Sequence, residues 1–458
     1  MLFSSITFLF YFLPAFLLVY LLTPKKYRNI PVLIFSLIFY FVGEPKYIIV
    51  LLLSCFINYF LSLKMDGKHA KKILILGIIY NVGQLLIFKY IDFFIGNINN
   101  LLNMDIPYTY ITMPIGISFF TFQALGYIID VYTKKHEPAR NIWEFMTYIA
   151  LFPQLIAGPI VRYADVSKEL KERNVDFEQF AVGVQRFTIG LAKKVLIANV
   201  LGEFINVLTE TTVLSSWLKP IAFTLQIYFD FSGYSDMAIG LGLMMGFKFL
   251  ENFNYPLIAD SITNFWRRWH MSLSSWFRDY VYIPLGGNRV NAFKRIRNIL
   301  IVWFLTGFWH GAAWNFILWG IYFGVILIFE KKFLLKFLNK TRIVKYLYTL
   351  VIVIISFLIF SSDSLDVIGN ELKNMFFINN IPFTGLQTTY YLKNNFLLLI
   401  ISIIGATPLI SYLVKKIKKS KFKIVIDIIE PIVYLTLLIL CTAFLIDESF
   451  NPFLYFRF

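Results

Sequence analysis

Only four histidines occur in 458 residues, and two sit where an imidazole can do chemistry. His310 lies in GFWHGAAWNFILWG (307–320), flanked by tryptophans within an otherwise apolar run, and His270 lies in NFWRRWHMSLSSWFRDYVYIPLGGNR (264–289). Neutral imidazole accepts a proton near pH 7, the step that activates a hydroxyl toward an ester or thioester. Desolvating a group able to carry charge is costly, so ionisable residues inside membrane runs are rare unless they pair or act. From spacing alone His310 reads either as such a base or as a hydrogen-bonded tie between two half-helices. His69 and His136 fall in basic loops and read as ordinary surface residues.

The stretch LQIYFDFSGYSDMAIGLG (225–242) carries Asp230 and Asp236. Six residues apart, they project from different sides of a helix and do not read as one paired carboxylate site. They read either as packing caps near a break at Gly233, with Ser232 and Ser235 as partners, or as the lining of a polar path. Arg267, Arg268, Arg278, Arg289, Lys294, Arg295 and Arg297 form a basic cluster. It reads mostly as charge on the cytoplasmic side, although guanidinium forks beside tryptophans also suit a phosphorylated, adenine-bearing donor. No CxxC or HExxH occurs, so no metal site is expected, and no GxSxG or glycine-rich phosphate loop is present. Cys55 and Cys441 each lie in apolar runs and suggest no disulfide framework.

The elements that must position these residues are membrane helices. The chain is 58% hydrophobic and 15% charged, against about 25% charged for a soluble domain, and apolar runs of crossing length recur along it. The net charge of +16 does not point to nucleic acid, because the basic residues fall in short loops such as KKYR, KHAKK and KKIKKSKFK. The first run, Ile6 to Leu22, has no basic residue before it and reads as a retained helix, not a signal peptide.

With basic loops inside, apolar runs alternate in direction along the chain, giving about eleven membrane or re-entrant helices in one domain, 1–458. The run 143–159, broken at Pro153 and GPI, reads as re-entrant, and 396–414 as a crossing. The segment 298–330 has basic residues at both ends and is too short for two crossings of about 20 residues each and a turn. It should enter part-way and turn back at GFWHGAAW, with His310 deep and against protein or a wet cavity.

QIYFDFSGYSDMAIG, NFWRRWHMSLSSWFRDYVYIPLGGNR and GFWHGAAWNFILWG, in that order, resemble the membrane-bound O-acyltransferase superfamily. Within it they look nearest to bacterial alginate and peptidoglycan O-acetyltransferase membrane subunits. PIGISFFTFQALGYIIDVY and FPQLIAGPIVRY fit the same branch, so the motif-bearing core is 114–320. The resemblance implies an all-α polytopic fold around a central tunnel, with His310 catalytic and His270 as the second histidine of the family. Trp309, Asn315 and Trp269 within these motifs join Asp230, Asp236, Arg267, Arg268 and Arg278 as candidates for donor binding or tunnel lining. The closing aromatic tail, 449–458, ends in FLYFRF, which resembles an F-x-Y-x-x-F motif of related acyl-transfer systems. There Tyr455 would carry the acyl group, since a phenol with a pKa of about 10 is a better leaving group than a sugar hydroxyl. The alternative is an aromatic anchor at the outer interface.

The expectation is thus an O-acetyltransferase of the bacterial inner membrane. It would take acetyl-CoA as donor, hold no bound cofactor, and have its tail outside. An esterase-like partner would complete transfer to a cell-wall or exported polysaccharide. D-alanyl transfer to teichoic acid is an enzymatic rival, and a non-catalytic transporter or channel for an acyl donor or polymer is a rival of another class.

Overall fold

A computed structural model describes residues 1–447 and 454. The described residues are helical wherever they are regular, as the apolar runs require: in lipid a helix satisfies its own backbone polar groups. The chain packs as two units, each discontinuous in sequence: 1–187 with 235–251, and 188–234 with 252–458.

In the first unit, Phe152 sits among Phe3, Phe8, Phe12, Phe16 and Phe39, with ring centroids 5.2–6.3 Å away. Polar side chains knit its helices together, as expected where lipid removes the hydrophobic drive between them. Asn58 and Asn81 exchange amide hydrogen bonds of 2.6 and 3.2 Å, and Gln84 donates to Thr121 at 2.8 Å. The run 143–159 breaks as expected: Ile142–Ala150 gives way at Leu151 to the single turn Phe152–Leu155, and the Phe152 N–H donates to Ser36 Oγ at 3.1 Å. His136 differs from its surface expectation. It is half-buried, its ring 5.4 Å from that of Tyr127 and 4.9 Å from that of Tyr163.

The second unit is built on a helical hairpin, Ala292–His310 and Trp314–Phe329, with its tip at 311–313. The turn falls where the sequence placed it. At 1.5 Å per residue the arms are about 28 and 24 Å long, short of a hydrocarbon core of about 30 Å. Two glycines allow the arms to meet backbone to backbone. A Cβ on Gly307 would stand 2.3 Å from the Phe316 carbonyl oxygen, and one on Gly320 2.3 Å from that of Trp303. Val344–Ser361 packs on the second arm. Trp266, Trp269, Trp319, Phe323, Phe357 and Phe360 fill the core around it.

Among the described residues, three helical stretches are long and apolar enough to cross a membrane alone: Gly67–Leu102, Val344–Ser361 and Lys423–Asp447. Phe396–Gly405 and Leu409–Lys418, expected as one crossing, are bent by 61° at a break that contains Pro408, a residue that cannot continue the hydrogen-bond ladder. Other apolar helices, such as Ile48–Leu63 and Ile117–Tyr132, are shorter, so length alone does not yield the eleven segments expected from the apolar runs.

Candidate active site

His310 is the last residue of the first hairpin arm and is only 3% exposed. Three rings meet it nearly edge to face: Trp309 at 4.9 Å, Trp319 at 5.0 Å and Phe360 at 5.5 Å. Each belongs to a different helix or turn of helix, so the hairpin and Val344–Ser361 jointly fix the imidazole. Asn315, on the second arm, donates to the Phe360 carbonyl at 3.1 Å and ties the same helix to the tip.

His270 reaches the same place by another route. It precedes Met271–Phe277 with φ 45°, in the left-handed region that non-glycine residues enter at a cost. The anchor is Asn252. Its Oδ1 lies 3.1 Å from His270 Nδ1 and accepts from Ser272 Oγ at 2.9 Å, while its backbone carbonyl accepts from Met271 N–H at 3.0 Å. The His270 ring stands edge-on to Phe231 at 4.7 Å, and its centroid is 6.1 Å from that of Trp309. The two histidines, 40 residues apart in sequence, thus flank one indole. Trp269 packs parallel to Phe265 at 5.6 Å and edge-on to Phe253 at 5.1 Å, serving the core beneath.

The helix Ile262–Trp266 that carries the RRWH stretch inward is held by Glu330. This fully buried carboxylate accepts from the N–H groups of Ile262 and Thr263 at 2.7 and 2.9 Å and from Thr263 Oγ1 at 2.6 Å. A carboxylate is favoured at a helix N-terminus, where the amides lack partners.

The aspartates require a correction. Helix Val213–Met244 runs without a break through Gly233, so neither aspartate caps one. Gly233 instead permits a close approach: a Cβ there would lie 2.7 Å from the Gly190 carbonyl oxygen. Asp230, 1% exposed, pairs with buried Lys194 at 2.7 Å. Asp236, in the first unit, pairs with Arg186 at 2.9 Å, and Arg186 also meets Glu251 at 2.5 Å. Each aspartate thus has its own basic partner.

The basic cluster is largely at the surface. Arg267 is exposed, and Arg278 is exposed and paired with Asp279 at 2.7 Å. Arg268 donates to Asn264 Oδ1 and the Asn254 carbonyl, both at 3.2 Å. Lys294, Arg295 and Arg297 are exposed on the first turns of the first hairpin arm. Arg295 is 15 residues before His310, about 22 Å along the helix. Tyr455 lies outside the described residues, as does the rest of 448–458 except Leu454.

The two histidines thus meet at the tip of a glycine-packed hairpin. The family model for membrane-bound O-acyltransferases matches residues 134–368, more than half of the chain. The chain belongs to the membrane-bound O-acyltransferase family. It is a multi-pass membrane O-acyltransferase. A probable alginate O-acetylase, AlgI, of Azotobacter vinelandii is 41% identical over 82% of this chain and 78% of its own length. The peptidoglycan O-acetyltransferase of Helicobacter pylori is 33% identical over 84% of this chain and 82% of its own. A teichoic acid D-alanyltransferase of Bacillus subtilis is 30% identical but covers 47% of the chain and 60% of its own length.

Sequence reasoning missed four residues of this membrane-bound O-acyltransferase: Asn252, Glu330, Phe360 and Lys194. Lys194 carried a usable signal, a lysine inside the apolar run 180–201. The other three act through contacts across 18 to 68 residues, and no local pattern announces them.

Proposed function

We propose that the protein moves acetyl from acetyl-CoA on the cytoplasmic side of a bacterial inner membrane to the outside, for O-acetylation of a cell-wall or exported polysaccharide. His310 is the general base. It takes the proton of an attacking hydroxyl as that oxygen bonds to the thioester carbonyl carbon. The C–S bond then breaks, and the proton passes to the departing thiolate, which leaves as CoA. The attacking hydroxyl is that of Tyr455. The acetyl-tyrosine ester then gives its acetyl group to an extracytoplasmic partner of esterase-like type, which delivers it to the sugar hydroxyl. His270, on the other side of Trp309, orients the reacting groups.

The observation that carries this reading is the placement of His310: a buried imidazole at a hairpin tip, about 22 Å along the helix from an exposed basic base. That arrangement suits an elongated donor whose phosphates stay at the base while its thioester arm reaches inward. Aromatic rings close on His310 from three sides, so donor entry requires a ring to swing away, and Phe360, on the neighbouring helix, is the one outside the hairpin. The acetyl preference follows the alginate O-acetylase and peptidoglycan O-acetyltransferase relatives, which match over most of the chain. The teichoic acid D-alanyltransferases of Bacillus subtilis and Streptococcus thermophilus match over about half of it. A non-catalytic transporter does not fit a chain of an acyltransferase family.

The test uses the purified full-length protein with radiolabelled acetyl-CoA. Release of CoA and covalent label on Tyr455 are expected, and His310→Ala should abolish both while keeping the protein folded. Undiminished labelling in that variant would overturn the assignment of His310, and label absent from Tyr455 while CoA is released would overturn the relay.

A further inference from the structure

One buried ion pair in the second unit has no place in the acyl-transfer scheme. Lys194 and Asp230 face each other at 2.7 Å, both side chains nearly inaccessible. Lys194 Nζ also donates to Asn199 Oδ1 at 2.8 Å. Such a pair is costly to desolvate, and replacing one by apolar residues is often neutral for stability, so its presence calls for a use. The second carboxylate oxygen supplies one: Asp230 Oδ2 accepts the backbone N–H of Leu454 at 3.0 Å, from a residue 224 positions away.

The Leu454 side chain packs against the same apolar core that holds Phe229, Trp269 and Phe360. Helix Lys423–Asp447 packs beside Lys193–Asn199, the π-helical stretch that carries Lys194. The seven residues from Asp447 to Leu454 can span at most about 25 Å. Leu454 thus contacts the core of the second unit through both its backbone and its side chain.

We propose that the Lys194–Asp230 pair is a docking site for the closing segment 448–458. Lys194 aims the Asp230 carboxylate, and the carboxylate holds the Leu454 amide. Tyr455 is the next residue in the chain, so the pair acts as a positioning device for it; that consequence rests on the reading of Tyr455 as acyl carrier.

The experiment places a photo-crosslinking benzoylphenylalanine at Phe456 in the full-length protein in membranes and maps the crosslinked peptides. Crosslinks to 188–234 are expected. They should fall at least fivefold in K194M/D230L, which replaces the pair with apolar side chains of similar size. They should fall equally in Leu454→Pro, which removes the amide hydrogen and leaves the ion pair untouched, so a K194M/D230L protein that fails to fold does not stall the test. Undiminished crosslinking in Leu454→Pro would overturn the docking site. Acetyl transfer by both variants should drop at least tenfold in kcat with KM for acetyl-CoA unchanged. Crosslinks lost while transfer stays unchanged would remove Tyr455 as carrier and leave the docking site standing.

Discussion

The two histidines of the candidate site are held by opposite kinds of structure. His270 sits in a polar capping arrangement, with a left-handed backbone and the Asn252 amide oxygen 3.1 Å from its ring. His310 sits at the end of a regular helix, with indole and phenyl edges 4.9–5.5 Å around it. A hydrogen bond fixes which ring nitrogen carries the proton, whereas aromatic edges fix the plane of the ring and shield it from water. In the proposed mechanism the difference gives the two unequal work: His270, with a set orientation, positions, and His310, in a dry setting where a proton transfer counts most, is the base.

The sharpest way to break that comparison is to replace each imidazole by asparagine, which keeps a polar amide and loses the base. His310→Asn is expected to lower acetyl transfer about 10³-fold, within the range of a lost general base. His270→Asn should lower it only about 10-fold to 100-fold. Rates of CoA release from the two purified variants decide, and equal losses would erase the distinction. Next in size is the hairpin itself. Gly307→Ala puts a methyl group 2.3 Å from the Phe316 carbonyl oxygen, and overpacking of this kind costs about 1–3 kcal/mol. A lower Tm should accompany reduced activity, because the arms can part only by moving His310. Gly83, whose Cβ would meet nothing within 4 Å, is the control: Gly83→Ala should leave Tm unchanged or slightly raised.

How far these features were legible from sequence follows the same division. The hairpin could be read because its cause is local: basic residues at both ends of 298–330 and too few residues between them for two crossings. Its glycines and the turn at 311–313 then follow from one short motif. The aspartate contacts could not be read, because Asp230 and Asp236 find Lys194 and Arg186 on other elements, 36 and 50 residues away. The expected break at Gly233 failed for a related reason. A glycine in a helix marks a break or a close approach alike, and only the neighbouring Gly190 backbone chooses between them. The bend at Pro408, by contrast, has a local cause, a proline within the apolar run 396–414.

Smaller effects sharpen the positioning side. Asn252→Ala strips His270 Nδ1 and the Ser272 hydroxyl of a shared buried partner, a loss of about 1–3 kcal/mol. If His270 serves only by its orientation, Asn252→Ala should reproduce most of the activity loss of His270→Asn. A stability loss with full activity would instead show that the orientation of His270 is immaterial.

The smallest effect separates charge from recognition. Arg278 is exposed and pairs with its sequence neighbour Asp279, and exposed pairs of this kind contribute about 0–1 kcal/mol. Arg278→Ala is therefore expected to leave Tm within a degree or two. If the exposed arginines bind the donor phosphates, the same variant should raise KM for acetyl-CoA severalfold, more at low salt than at high salt, because exposed charge interactions are screened over about 10 Å at 0.1 M. Arg278 is exposed whereas His310 is buried, so kcat should stay the same. A change in kcat without one in KM would place Arg278 in the transfer step and not in donor recognition.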